Sequence, residues 1–281
     1  LGRYRIGDIM PLLSAPNRIA SQLINGGCMK ESRLQHYLDF IGFSMETEGY
    51  RMTALAEQYI QQVLAKELSV DEAVSEIVDR YGLSSESDTT RTADGCYEGT
   101  DIYINYFGLR DQELLDEIET LIVGVRMAEI MIGKREWTFN FEHLKAIHAH
   151  LFDDIYPFAG EIRYIAITKR TVFCLPQYIQ QVAAEIFDKL RDYHYLRHQE
   201  HEEFVDNLAY FMAEVHALHP FRDGNTRTMR LFFYQLCYSA GWLMDLPNTV
   251  DKRLLEADIA ALEGDYQPLI GILHEAIRAL D

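Results

Sequence analysis

Apolar residues recur at helical spacing along most of the chain, and this feature constrains the fold more than any other. The spacing predicts seven helices in the larger, C-terminal part, over 112–132, 141–152, 177–191, 202–217, 227–240, 251–262 and 268–280. One segment, 162–174, is instead rich in Ile, Tyr, Thr and Val around a polar tip and favours a hairpin. The sequence therefore predicts an all-α fold, a mostly helical bundle with one short β-hairpin.

A smaller helical unit is predicted ahead of this bundle. Helical spacing over 52–64 indicates an amphipathic helix. Ser69 and Glu72 then form the capping-box pattern that begins another helix, which we expect to stop at Gly82. Because three short helices bury little apolar surface by themselves, we expect the unit to pack against a larger partner.

These patterns divide the chain into four predicted parts. Residues 1–28 are expected to be leader or added sequence, since Met29-Lys30 has the form of a start. The helical unit occupies 29–82, and a polar, Ser- and Thr-rich linker occupies 83–96. The main domain is expected to cover 97–281.

Composition excludes several classes of function. The formal net charge of −18 repels nucleic-acid phosphates and anionic membrane surfaces, and no apolar run approaches the length of a membrane helix. The four cysteines are too scattered for a zinc cluster or a disulfide framework. His143, His148 and His150 do not share a helical face and therefore do not predict a metal site. We expect a soluble, cytoplasmic protein with reduced thiols.

The segment from His219 to Arg230 carries the strongest chemical signal. It reads His-Pro-Phe-Arg-Asp-Gly-Asn-Thr-Arg-Thr-Met-Arg and precedes an apolar helical run. A turn ahead of a helix start can hold an anion, because the first backbone N–H groups lack intrahelical partners and the helix dipole is positive there. Arg227 and Arg230 share a helical face, Asp223 has a carboxylate suited to magnesium, and histidine titrates nearest neutrality. The layout is typical of a phosphate site serving nucleotidyl or phosphoryl transfer.

These residues resemble the motif of Fic-domain proteins, H-x-F-x-(D/E)-G-N-(G/K)-R-x-x-R. The chain matches it at every position except Thr226. The resemblance implies that His219 is the general base, that Asp223 holds Mg²⁺, and that Phe221 is buried and fixes the loop. It also implies a nucleotide site for ATP, and the residues that it assigns to this site are Gly224, Asn225, Thr226, Arg227 and Arg230.

Thr226 leaves two interpretations open. Where the family usually has Gly or Lys, a β-branched residue at positive φ would be strained by about 1–3 kcal/mol. Alternatively, Thr226 adopts helical geometry and offers its hydroxyl to a phosphate. The substitution bears on the rate and on the identity of the transferred group.

Two further segments fit the same resemblance. In Fic proteins a hairpin flap ahead of the motif positions the target by strand addition. Segment 162–174 lies at the corresponding place in the chain order. The sequence at 156–163 also resembles Fic cores. The flap residues are then Thr168, Lys169, Arg170, Thr171, Val172 and Phe173. The inhibitory motif (S/T)-x-x-x-E-(G/N) matches Ser44, Glu48 and Gly49, and implies a salt bridge from Glu48 to Arg230 that prevents productive ATP binding.

The resemblance implies a protein adenylyltransferase of the toxin type, joined to an antitoxin-like helical unit. AMP would pass from ATP to a hydroxyl of a target protein, for which the family suggests DNA gyrase or topoisomerase IV. Two alternatives stay open: a kinase-like transfer of another phosphate-containing group, and a silent nucleotide-binding module.

Overall fold

Helices dominate the chain, as the sequence predicts. The computed structural model describes residues 31–84, 95–134, 136–168, 173–246 and 252–280, and the predicted leader at 1–28 lies outside this part. The helices are α1 (Glu31–Glu46), α2 (Ala54–Leu64), α3 (Val70–Arg80), α4 (Gln112–Ile132), α5 (Phe141–Phe152), α6 (Ile179–Asp192), α7 (His201–Leu218), α8 (Asn225–Ala240), α9 (Lys252–Leu262) and α10 (Gln267–Ala276). The predicted all-α fold class is confirmed.

The small N-terminal unit packs against the larger part, as expected. Helices α1, α2 and α3 all contact α4, and α1 also contacts α8. Their apolar residues join one core cluster with those of the main bundle. The predicted capping box is present, because Ser69 and Glu72 exchange side-chain and backbone hydrogen bonds at the start of α3. Most of the predicted linker, residues 85–94, lies outside the described residues.

Helix α8 is the central element of the bundle. It packs against α1, α5 and α7, and every residue from Arg227 to Cys237 is buried. A helix that is covered all round must satisfy its polar side chains internally, because water does not reach them. The two motif arginines therefore depend on partners from neighbouring helices.

The regular β structure of the described residues is not where the sequence predicts it. Strand β1 (Trp242–Met244) pairs antiparallel with β2 (Ile277–Ala279). The predicted helix over 268–280 is therefore too long, since α10 ends at Ala276 and the chain continues as β2. Gly241 ends α8 in the left-handed conformation, and its φ of 95° directs the chain into β1.

Two further predictions come from composition and concern the cysteine thiols and membrane-spanning helices. Within the described residues, Cys174 and Cys237 are free thiols. No helix in the same part of the chain is long and apolar enough to cross a membrane.

Candidate active site

The loop between α7 and α8 is shaped by two residues with left-handed backbone. His219 caps α7 with φ 43°, and Gly224 precedes α8 with φ 69°. Glycine is required at 224 twice over, because φ is positive and because an added Cβ would lie 2.3 Å from Cζ of Phe152. Thr226 lies inside α8 and is not among the positive-φ residues, so the strained interpretation is wrong and the helical geometry is confirmed, while the contact of its hydroxyl with a phosphate stays a prediction.

Phe221 and Asn225 fix the loop from within. Phe221 is buried, as expected, and its ring stacks on His148 with centroids 3.9 Å apart. The Asn225 side chain accepts from the backbone N–H of Phe221 and donates to the carbonyl of Phe221, both over 2.9 Å. The side-chain amide of Asn225 is therefore engaged in holding the loop, and the place of Asn225 in the nucleotide site stays a prediction.

His219 and Asp223 stand at opposite ends of the loop. The imidazole of His219 is buried and stacks on Phe173, with ring centroids 3.8 Å apart and planes inclined by 12°. Asp223 is half-buried, and its Oδ1 accepts the backbone N–H of Gly224 over 2.8 Å. The loop thus presents a histidine and a carboxylate beside the start of α8, where first-turn N–H groups favour an anion.

Arg227 is fully buried and already paired. Its Nη1 donates to Oε1 of Glu119 over 2.5 Å, and Glu119 also accepts from the hydroxyl of Tyr156. The rings of Tyr50 and Phe152 lie against the guanidinium, 4.3 and 4.9 Å from its carbon. Burial raises the pKa of Glu119, and the charge of Arg227 opposes that shift. In this arrangement Arg227 has no exposed surface for the phosphate contact predicted from the motif.

Arg230, one turn further along α8, meets the end of α1. Its Nη1 donates to the carbonyl of Ser44 over 3.4 Å and to the hydroxyl of Thr47, and the Phe43 ring lies 5.0 Å from its guanidinium carbon. The side chain is almost entirely buried. Burial lowers the pKa of Arg230, because these neutral partners compensate the charge incompletely.

The predicted inhibitory motif therefore reaches its arginine, but not through the predicted atoms. Glu48 and Gly49 lie in the turn after α1, with Gly49 at φ 90°. Among the ion pairs of the described residues there is none between Glu48 and Arg230, so the direct salt bridge is not formed in this structure. The Glu48 carboxylate acts on Arg230 over a longer distance and raises its pKa, against the larger effect of burial.

The predicted flap is anchored to the loop. The N–H of Arg163 donates to the carbonyl of Pro220 over 2.9 Å, and the N–H of Cys174 donates to that of Ala217 over 3.0 Å. The arms 162–168 and 173–174 form no regular strand, although Thr168 lies in a β-bridge, and the hairpin stays a prediction. Thr168 is exposed and Phe173 is buried, whereas the tip residues Lys169, Arg170, Thr171 and Val172 lie outside the described part.

Two polar residues of the site were missed from the sequence. Glu119 stands inside the apolar run of α4, and a lone carboxylate at such a position is a signal for a buried partner. His148, considered only as a metal ligand, instead supports the loop: its Nδ1 accepts the N–H of Gly160 over 2.8 Å, so its Nε2 carries the proton donated to the carbonyl of Asp223 over 3.0 Å. Burial lowers the pKa of His148 to about 3.

Three comparisons with known proteins agree with this site. The family described as Fic/DOC matches residues 138–237, which include α5 and the whole loop. A probable protein adenylyltransferase of Sinorhizobium fredii is 37% identical over 185 residues, which are 65% of this chain and 94% of that protein. The protein adenylyltransferase VbhT of Bartonella schoenbuchensis is 33% identical over 59% of this chain, which corresponds to 35% of VbhT.

Solved structures show the same fold. The crystal structure of BepC from Bartonella tribocorum, which has AMPPNP bound, matches with a TM-score of 0.62 and 23% identity, over 68% of this chain and 100% of that one. Its likeness extends the agreement from sequence to helix arrangement. With the motif loop, the helical fold and a relative matched over nearly its whole length, the chain belongs to the Fic/DOC family.

Proposed function

We propose that the protein is a protein adenylyltransferase, which transfers AMP from ATP to a hydroxyl side chain of a target protein. The observation that carries the proposal is the loop itself, which holds His219 at the end of α7 and Asp223 just before the start of α8. The relatives from Sinorhizobium fredii and Bartonella schoenbuchensis, both named as protein adenylyltransferases, support the same activity.

The chemistry follows from these positions. His219 takes the proton of the target hydroxyl while the hydroxyl oxygen attacks the α-phosphorus of ATP. The bond from that phosphorus to the bridging oxygen breaks, and pyrophosphate leaves. First-turn N–H groups of α8 and the Arg230 guanidinium stabilise phosphate charge, so positioning and electrostatics supply most of the rate. Arg227, tied to Glu119, acts on the phosphates only through the shape of the helix start.

The proposal includes Mg²⁺ bound through Asp223. Mg²⁺ is commonly held by one or two carboxylates together with substrate phosphates, and this chemistry fits a single half-buried aspartate on the loop. Among the described residues no cluster of three or more His, Cys, Asp or Glu side chains is arranged for a metal, and a magnesium–ATP site does not need one. When bound, the ion would neutralise charge on the phosphates.

We also propose that the segment Ser44–Gly49 inhibits the enzyme. Its support is the pair of hydrogen bonds that Arg230 donates to Ser44 and Thr47, which occupy the guanidinium that a phosphate would use. Glu48 adds a nearby negative charge that competes with the phosphate for the same arginine. ATP must displace the end of α1 before it can engage Arg230.

Labelling in a cell extract tests both proposals. The parent, Glu48→Gly, and Glu48→Gly with His219→Ala are each incubated with ATP labelled at the α or the γ position. We expect α-label on protein, stronger for Glu48→Gly and lost with His219→Ala. Glu46→Gly, at the exposed end of α1, and His198→Ala, at an exposed histidine, are the matched controls. Purified DNA gyrase and topoisomerase IV are the first individual targets to test.

Each other outcome contradicts a stated part. Transfer of γ-label would replace adenylylation by a kinase-like reaction. ATP binding without label in any variant would make the protein a binding module. Equal labelling of the parent and Glu48→Gly would remove the inhibitory role of Glu48.

A further inference from the structure

Arg163 connects the flap to the loop that carries His219. Its guanidinium donates three hydrogen bonds to backbone carbonyls: Nε to His219 over 2.7 Å, Nη1 to Ile165 over 2.7 Å, and Nη2 to Cys174 over 2.5 Å. Only 3% of the residue is exposed. One side chain thus joins the outgoing arm of the flap, the returning arm and the catalytic loop.

The bond to His219 compensates an unusual backbone. His219 is a non-glycine residue at φ 43°, a conformation that other residues rarely adopt unless their surroundings hold them there. Its carbonyl lies past the end of α7, where a buried acceptor needs a partner from elsewhere. Arg163 supplies that partner, and the main chain of Arg163 adds the bond to Pro220.

The returning arm also holds the ring of His219. Phe173, which directly precedes Cys174, stacks on the imidazole at 3.8 Å. The bonds that Cys174 makes through its carbonyl to Arg163 and through its N–H to Ala217 fix the position of that phenyl ring. Arg163 therefore holds the backbone of His219 directly. It also helps to hold the imidazole, because the stacked ring belongs to Phe173, whose neighbour Cys174 is bonded to Arg163.

We propose that Arg163 is a positioning residue, which fixes His219 and the two arms of the flap as one unit. The imidazole of His219 and a target hydroxyl presented at the flap are then held at a fixed position relative to each other. The inference rests on the proposed function, because it assigns Arg163 a role in that reaction. A guanidinium spreads its N–H donors over three nitrogen atoms, whereas the donors of a lysine ammonium share one atom and reach fewer of these separated carbonyls.

The test is Arg163→Lys in the full chain, read by NMR and by labelling. The ring resonances of His219, assigned by their loss in His219→Ala, are compared at one pH. We expect them to shift and broaden in Arg163→Lys, while affinity for a non-hydrolysable ATP analogue with Mg²⁺ stays within about threefold. In the Glu48→Gly background the labelling rate should fall at least about tenfold with little change in KM for ATP, since a small displacement of a catalytic group is costly.

Matched controls separate positioning from stability. Arg126→Lys changes another partly buried arginine, which pairs with Asp154 and Glu129 away from the loop, and should lower thermal stability without moving the His219 resonances. Phe173→Leu, which keeps an apolar side chain but removes the stacked ring, should move them in part and serves if Arg163→Lys does not fold.

The outcomes distinguish the two proposals. Unchanged His219 resonances and an unchanged rate in Arg163→Lys would overturn the positioning role and leave adenylylation intact. Absence of label in every protein, with His219 resonances that still move in Arg163→Lys, would overturn the proposed activity and, with it, the role of Arg163 in that reaction. The structural coupling of Arg163 to His219 would remain.

Discussion

The first two turns of α8 have two very different neighbours. On one side Arg227 meets a carboxylate, Glu119, within the main bundle, and the loop beside it is held by His148. On the other side Arg230 meets the carbonyl of Ser44 and the hydroxyl of Thr47, both from the N-terminal unit. Both arginines are buried, yet among the described residues only Arg227 forms an ion pair with a carboxylate.

This difference suggests that the ion pair of Arg227 supports the fold, whereas the hydrogen bonds of Arg230 can be exchanged for contacts with a nucleotide. A buried guanidinium paired with a carboxylate has little to gain from a new anion, because its charge is already compensated. One that meets neutral oxygens is incompletely compensated and gains more from a phosphate. We therefore expect changes around Arg227 to alter stability, and changes around Arg230 to alter nucleotide affinity.

The largest expected effect is on stability, at the Arg227 side of α8. Glu119→Ala leaves Arg227 as an uncompensated buried charge and should lower the free energy of unfolding by about 3–5 kcal/mol. Glu119→Gln keeps the shape and part of the hydrogen bonding, and should cost less. Denaturant unfolding of both variants measures the difference. If Glu119→Ala were as stable as the parent, Arg227 would not depend on this partner.

The second effect is a pH dependence of stability that comes from His148. Its pKa is lowered to about 3 by burial, so the folded state stays unprotonated where the unfolded histidine, near 6.5, takes up a proton. The unfolded state then binds more protons, and stability is lost as pH falls below about 6.5. Between pH 7 and pH 5 we expect a loss of about 2 kcal/mol from this residue.

His148→Gln isolates the contribution of this histidine to the pH dependence of stability. Its amide can accept from Gly160 and donate toward Asp223, but it does not titrate. Unfolding curves at pH 5 and pH 7 should therefore show a smaller pH dependence than in the parent, by about 2 kcal/mol. Equal pH dependence in the two proteins would mean that the pKa of His148 does not differ between the folded and the unfolded state.

The two sides also differ in how far the sequence predicts them. Helices α4 and α5 begin and end where their helical spacing predicts, since that signal acts within one or two turns. Phe221 and Asp223 lie where the motif places them. These features are local, so a single stretch of sequence contains the information that forms them.

Contacts between distant segments were not predictable in the same way. Glu119 and Arg227 are 108 residues apart, and β1 pairs with a strand at the end of the chain. Such pairs depend on the packing of whole helices, and the residues at 277–279 continue an apolar pattern that resembles α10. The motif likewise indicates that the segment after α1 meets Arg230, but not that Ser44 and Thr47 make the contact.

At the Arg230 side of α8, Thr47→Val tests whether a nucleotide displaces the contact with the N-terminal unit. It removes the hydroxyl that accepts from Arg230 while preserving most of the side-chain volume. If ATP displaces this contact, its loss should tighten binding of an ATP analogue with Mg²⁺ by about fivefold, or about 1 kcal/mol, measured by calorimetry. Thr47→Ser keeps the hydroxyl and should bind like the parent. Weaker binding in Thr47→Val would show that Thr47 supports the nucleotide site rather than competing with it.

The smallest effect belongs to Tyr50, which crosses between the two sides. It follows the inhibitory motif in the N-terminal unit, yet its hydroxyl lies 3.4 Å from Nη2 of Arg227 and its ring covers that guanidinium. Tyr50→Phe keeps the ring and should lower the free energy of unfolding by about 0.5–1.5 kcal/mol, with ATP-analogue affinity within about twofold of the parent.

Tyr50→Ala completes that comparison, because it uncovers Arg227 while leaving Glu119 in place. If the ion pair with Glu119 satisfies Arg227, ATP-analogue affinity should again change little, in contrast to the gain in Thr47→Val. A gain in Tyr50→Ala as large as that in Thr47→Val would mean that the N-terminal unit withholds both arginines from the nucleotide, and that the two sides of α8 do not differ in the way their partners suggest.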